Sequence, residues 1–326
     1  MNYKVLFISI LIIFSMNAQN LRAQDKLAQT GFQFLSVGTD ARASAMGEAF
    51  TTMEGTSSSL FYNPAGLSRL ANFMEVNATH TGWIADIKHY SLSLALNPWN
   101  SRYGVFGISV MAVDYGDVQG TMVWGNSQGY IDTEVMNPSA IAVGLGYGRA
   151  LTDKFCVGGQ IKYVAQYFGK SVVPNIEVRK NIADVIAFDF GTIYRTGFRS
   201  FAFGMSVRNF SEEVKYEKEG FQLPLTFKIG VSIDALDLLN DEHPNHSLNV
   251  HVDAVHPRSY PEYLNVGAEY TFIERFALRL GYISGHEEYN MAMGFGVSAF
   301  GLSANYSYTP FGVFDGVQRF SVCFSK

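Results

Sequence analysis

From about residue 72 to the C-terminal end, large apolar side chains alternate with small or polar ones at period two, the signature of β-strands. Tyr90, Leu92, Leu94 and Leu96 interleave with Ser91, Ser93, Ala95 and Asn97. Ile141, Val143, Leu145 and Tyr147 interleave with Ala142, Gly144, Gly146 and Gly148, and Phe320, Val322 and Phe324 with Arg319, Ser321 and Cys323. Fourteen such segments are predicted: 72–80, 88–97, 103–113, 139–149, 154–168, 183–196, 201–210, 224–236, 247–257, 262–273, 275–284, 289–299, 302–310 and 317–325. Most exceed the five or six residues usual in soluble sheets, and about 10 suit a strand tilted across an apolar band of about 25 Å. Tight turns (98–102, 150–153, 197–200, 274 and 300–301) tend to alternate with longer loops, reaching about 25 residues at 114–138. The stretch 237–246 breaks the rhythm, being long where a short turn is expected.

Period two does not say which way the apolar face points; a soluble sandwich would turn it inward. Three features favour lipid: long strands in even number, an opposite face rich in Gly, Ala and Ser, and aromatics near strand ends such as Tyr163, Tyr167, Tyr194, Phe272, Tyr306 and Tyr308. Residues 1–23 read as a cleaved secretory signal, with Lys4 before an apolar core from Val5 to Phe14 too short to span a bilayer. The expected location is the bacterial outer membrane, multi-pass. The expectation is thus an all-β, fourteen-stranded antiparallel transmembrane β-barrel over 72–326. Its backbone cylinder would be roughly 28 Å across, too wide for its own small lumenal side chains to fill. The segment 24–71, rich in small residues and without alternation, is expected to fold back into the bore as an N-terminal hatch or plug.

Composition agrees. Only 16% of the 326 residues are charged, 14% are aromatic, and mean hydropathy is +0.05, too low for a bundle of spanning helices. Without the signal, 22 basic groups face 29 acidic ones, a net charge of about −7 that offers nucleic acid no basic surface. Two cysteines 167 residues apart, Cys156 and Cys323, do not make a disulfide scaffold.

The stretch Gly38-Thr39-Asp40-Ala41-Arg42-Ala43-Ser44-Ala45-Met46-Gly47-Glu48-Ala49-Phe50, followed by Leu60-Phe61-Tyr62-Asn63-Pro64-Ala65-Gly66-Leu67, resembles the N-terminal signature of the PorV/PorQ family of FadL-like outer-membrane barrels. The resemblance spans the mature chain and implies an outer-membrane barrel with an N-terminal hatch, carrying Asp40, Arg42, Asn63, Pro64, Ala65 and Gly66 as its motif. It further implies a non-catalytic accessory role in type IX protein secretion, or alternatively, as in the FadL branch, uptake of long-chain fatty acids or other hydrophobic small molecules. Two positions depart from the pattern: Glu48 replaces a usual second glycine, and the chain ends Phe324-Ser325-Lys326 rather than on an aromatic. Asn and Pro suit a turn, and Ala and Gly a close approach to a wall. Asp40 and Arg42 would need lumenal partners, for which Asp189, Lys228, Asn249, Glu269 and Arg279 are the candidates.

No catalytic constellation emerges, and no cofactor or metal is called for. Gly125-Asn126-Ser127-Gln128-Gly129 has nucleophile-elbow spacing but lies in a loop without a following helix. Gly144-Leu145-Gly146-Tyr147-Gly148 lies within a strand, where no helix could hold a phosphate. His243, His246, His251 and His256, near Asp241 and Glu242, fit no metal-ligand spacing. Besides membrane lipid, the expected partners are secreted or machinery proteins meeting the loops 114–138, 169–182 and 211–223. A hydrophobic small molecule would instead need inward-pointing aromatics, with Phe32, Phe34 and Phe61 the candidates to line its path.

Overall fold

The structure, a computed structural model, describes residues 30–99, 101–171, 179–216, 219–238, 245–285 and 289–326. The signal expectation over 1–23 and the first residues of the predicted hatch lie outside these. Fourteen antiparallel strands close into a barrel. In chain order they are β1 (Met74–Gly82), β2 (Lys88–Leu96), β3 (Val105–Asp114), β6 (Ser139–Ala150), β7 (Phe155–Ser171), β8 (Arg179–Arg195) and β9 (Ala202–Ser211). They continue with β12 (Thr226–Asp234), β13 (His246–Pro257), β14 (Tyr263–Phe272), β15 (Phe276–Ile283), β16 (Met291–Ala299), β17 (Leu302–Phe311) and β18 (Phe314–Ser325). The first and last strands seal the wall, with Thr79 opposite Ser321 and Gly82 opposite Gln318.

Each predicted segment is a barrel strand. The differences lie in the loops. Within 114–138 the chain makes a hairpin, β4 (Val118–Val123) with β5 (Tyr130–Met136), and a smaller one, β10 (Val214–Tyr216) with β11 (Glu219–Phe221), follows β9. β7 and β8 are 17 residues each and run on past a register shift at Tyr167/Gly169, so much of the predicted loop 169–182 is strand. On the opposite rim, Phe300 (φ 54°) and Gly301 (φ 78°) form a two-residue hairpin with both residues left-handed, the geometry that matches strand twist.

The apolar row points outward. On β15, Leu278 and Leu280 are 63% and 62% exposed while Ala277 and Arg279 face inward and are buried. The same holds for Leu92 against Ser91 and Ser93, and for Phe320 against Arg319 and Ser321. A soluble sandwich would show the reverse. An outward apolar belt on a closed wall suits a hydrocarbon surround, where a closed barrel leaves no unpaired edge. If that belt meets lipid, Leu280→Arg will cost about 2–4 kcal/mol of unfolding free energy in vesicles, and Phe300→Arg in the turn about 0–1 kcal/mol. Denaturant titration of both variants checks this, and equal costs would contradict a lipid-facing belt.

Candidate functional site

Residues 30–70 cross the lumen from the long-loop rim to the short-turn rim. Gly31 N donates to Gln222 O beyond β11 at one end, and Met74 opens β1 at the other. Between them the chain makes one short helix, α1 (Ala41–Ala45), and 3-10 turns at Gln33–Ser36, Ser57–Phe61 and Pro64–Arg69. Small residues on the inner wall let this segment come close. A β-carbon on Gly158 would sit 2.3 Å from Pro64 C and 2.4 Å from Ala65 N, and one on Gly281 2.0 Å from Gly47 N.

Asp40 and Arg42 organise its middle. Asp40 is buried and caps α1, its Oδ1 accepting from Arg42 N (2.6 Å) and Ala43 N (3.1 Å). Its Oδ2 accepts from Ser58 Oγ (2.5 Å) and from Asn77 Nδ2 of β1 (2.6 Å), so one carboxylate ties two parts of the segment to the wall. Arg42 reaches β14, where Nε and Nη2 donate to Glu269 at 2.8 and 2.6 Å in a two-pronged pair. Arg279 Nε also donates to Glu269, at 2.6 Å, and Nη1 to Asn305 Oδ1 at 2.9 Å. Of the lumenal partners expected for these two residues, Glu269 binds Arg42 directly and Arg279 through Glu269. Lys228 reaches only Glu48 O (3.1 Å), and Asp189 pairs instead with Lys162 at 2.8 Å. Burial works against the Arg42 charge, but the Glu269 carboxylate outweighs it and raises the Arg42 pKa.

The Asn-Pro-Ala-Gly motif works as a clamp. Asn63 is wholly buried; its Nδ2 donates to Thr51 O (2.7 Å) and to Thr192 O of β8 (3.2 Å), and its Oδ1 caps Ala65 N (3.1 Å). Pro64 starts the 3-10 turn, where a missing N–H costs nothing. Ala65 packs on Cys156 and Ile193 of the wall. A β-carbon on Gly66 would meet Met53 O and Ser59 within the segment. Farther back, Gly47 (φ 61°) and Glu48 (φ 62°) are both left-handed. That conformation favours glycine, and Glu48 adopts it while accepting from Ser44 Oγ.

Among the described residues, two cavities border the segment. The turn-side one, about 220 Å³, is polar and bordered by Arg42, Glu75, Glu269 and Arg279. The loop-side one, about 530 Å³, is rich in aromatics: Phe34, Phe61 and Tyr62 from the segment, and Trp83, Tyr263 and Phe311 from the barrel. Phe34 and Phe61 border this cavity. Phe32 does not; it lies behind Phe34, ring centroids 6.2 Å apart, against Phe221 at 5.6 Å. Burial, reinforced by Glu48 and Asp40, pushes the Tyr62 phenol well above its usual pKa, and it stays neutral, accepting from Thr39 N at 3.3 Å.

Three cations also face the loop-side cavity: Arg208, Lys228 and Arg319. The alternation places Lys228 and Arg319 on the lumenal face but not at one height, and Arg208 lies within a bulge of β9, between Val207 and Phe210, that shifts the register. Desolvating an unpaired cation costs several kcal/mol. Cation–π contacts of Arg208 on Tyr62 (5.8 Å) and Arg319 on Trp83 (5.5 Å) offset about 0.5–2 kcal/mol each.

The other motifs do not converge. Ser127 lies between β4 and β5 with no helix behind it. His251 points inward to Thr52 Oγ1 (3.0 Å), His246 meets Tyr270 (2.6 Å) and His256 meets Glu262 (2.7 Å), while His243, Asp241 and Glu242 lie outside the described residues. No metal-binding group of His, Cys, Asp and Glu occurs among the described residues.

The architecture is similar to that of the Ralstonia pickettii toluene transporter TbuX, at 11% identity and TM-score 0.59 over 88% of this chain and 98% of that one. It is also similar to CymD, a monoaromatic hydrocarbon channel (12% identity, TM-score 0.60, 89% and 98%). A FadL homologue of Pseudomonas aeruginosa shares the fold at 12% identity and TM-score 0.50, over 89% and 99%. Identities this low establish a common fold. No curated protein matches the sequence. The model of the uncharacterised protein family UPF0164 matches residues 9–220, well over half of the sequence, and the chain belongs to that family.

Proposed function

We propose that the protein is an outer-membrane channel for hydrophobic small molecules, entered from the loop side and closed by residues 30–70 acting as a plug. The observation that carries this reading is the aromatic cavity of about 530 Å³ between that segment and the wall, with Phe34 and Phe61 turned into it. A sealed bore serving only as a scaffold has no use for such a space, whereas concave apolar walls with a few polar groups are what small-molecule sites share. The outward apolar belt supports an outer-membrane location. The transport named for TbuX and CymD supports the kind of cargo. A narrower PorV/PorQ kinship, and with it the type IX secretion role, rests on the hatch motif alone. The channel reading therefore takes precedence over it.

The test is a deletion strain. Uptake of radiolabelled toluene should fall several-fold while surface display of secreted proteins is kept. Lost display with unchanged uptake would overturn the channel in favour of the secretion role.

A further inference from the structure

The loop-side cavity is more cationic than a path for neutral hydrocarbons requires. Arg208 of β9 and Lys228 of β12 are near neighbours, since Arg208 pairs with Thr226 across that ladder, and Arg319 of β18 also lines the cavity. Among the described residues no carboxylate lies within ion-pair distance of any of the three. Two carboxylates stand nearby but are engaged elsewhere: Glu48 in the lining by Ser44, and Asp253 of β13, beside Lys228, by Phe50 N, Thr51 N and Thr51 Oγ1. The cations hold backbone carbonyls of the plug, Arg208 Nη2 to Leu35 O (3.5 Å), Lys228 Nζ to Glu48 O (3.1 Å) and Arg319 Nε to Gly38 O (3.3 Å), and Arg319 Nη1 also donates to Thr309 Oγ1 (3.3 Å). The guanidinium contacts are long and leave most of the N–H groups of both guanidiniums unused. Arg208 Nε, His89 Nδ1, Asn265 Oδ1 and Thr39 Oγ1 in the same lining are buried with no hydrogen-bond partner among the described residues.

A neutral ring seated here would strip water from charged and polar groups and return nothing to them. A carboxylate would return charge-assisted hydrogen bonds. The walls select the rest of the molecule. Tyr289 and Phe311 stack at 4.7 Å with 17° between planes, and Trp83 meets Phe311 edge-on at 5.5 Å, surfaces that favour a flat ring over a flexible chain. The geometry points to an aromatic carboxylate as the cavity's ligand, its charge at Arg208 and Lys228 and its ring against the aromatic wall. This inference rests on the channel reading and narrows its cargo from apolar compounds at large to anionic aromatics.

Equilibrium dialysis on the full chain in detergent tests it, with 2-naphthoate, naphthalene and decanoate as probes and an unrelated barrel as the control for micelle partition. 2-Naphthoate should bind at least ten-fold more tightly than naphthalene or decanoate. Arg208→Gln and Lys228→Gln should each weaken it about ten-fold, and Lys228→Arg, which keeps the charge if the glutamine variant fails to fold, should retain it. Naphthalene binding as well as 2-naphthoate would overturn this inference and leave the channel standing. Decanoate binding as well as 2-naphthoate would overturn the aromatic assignment. Binding of none of the three probes would overturn the channel reading itself.

Discussion

Replacing Gly158 by alanine is expected to loosen residues 30–70, the proposed plug, while the barrel persists. The added β-carbon would lie 2.3 Å from Pro64 C and 2.4 Å from Pro64 O, backbone atoms that no rotamer change can move aside. The turn Pro64–Arg69 would have to withdraw from β7. Asn63 would then lose its hold on Thr192 O, and Ala65 its packing on Cys156 and Ile193. Overpacking of this kind costs about 1–3 kcal/mol, and each buried polar group left without a partner adds about 1–3 kcal/mol. The sum is comparable to what a plug held by local contacts can tolerate, so the expected outcome is a raised open-state conductance in planar bilayers with heat-modifiable barrel migration retained. Gly159→Ala is the control. Its β-carbon would meet nothing closer than 3.6 Å, and its conductance should match the parent. Identical conductance in the two variants would show that the turn does not seal the bore.

The contrast between these adjacent glycines shows how much of the molecule could be read from its sequence. The barrel was legible because a two-faced wall imposes period two on every strand, independently of the partner it finds. The route of residues 30–70 was not. It depends on Gly158, Gly191 and Gly281 coming level with Pro64, Asn63 and Gly47, pairings of residues about 90 to 230 positions apart that no local pattern records. Among the candidate aromatics, Phe32 and Phe34 look equivalent in sequence, but Phe32 sits at φ 53° ahead of a 3-10 turn, so the two rings take different directions. The three cavity cations were hidden for a related reason. Alternation assigns a side to Lys228 and Arg319, but their height in the lumen follows from strand register and tilt, which only the assembled wall fixes. The extra length of β7 and β8 went unread because Gly169, at φ 118°, shifts the register where the alternation would otherwise have continued.

The second large effect is expected at Arg42→Ala. Glu269 is buried, and it accepts from Arg42 at 2.6 and 2.8 Å and from Arg279 at 2.6 Å. Removing Arg42 leaves Glu269 with one cation and cuts the only ion pair, among the described residues, that joins α1 to the wall. Breaking a buried pair from one side typically costs about 3–5 kcal/mol. Here Arg42 is 32% exposed by side chain and Arg279 stays in place, so about 2 kcal/mol is the expected loss. That loss should fall on the plug rather than on the barrel: hydrogen exchange should rise in residues 41–46 while the strand amides stay protected. Because the Arg42–Glu269 pair borders the turn-side cavity next to α1, its loss should also join that cavity to the loop-side one and raise conductance. A double-mutant cycle separates a tie from mere bulk. If the ion pair holds the plug, Glu269→Gln will reproduce most of the Arg42→Ala effect and the double variant will add little to it. Additive effects, or faster exchange in β14 and β15 instead of α1, would mean that the pair stabilises the wall and has no part in closing the bore.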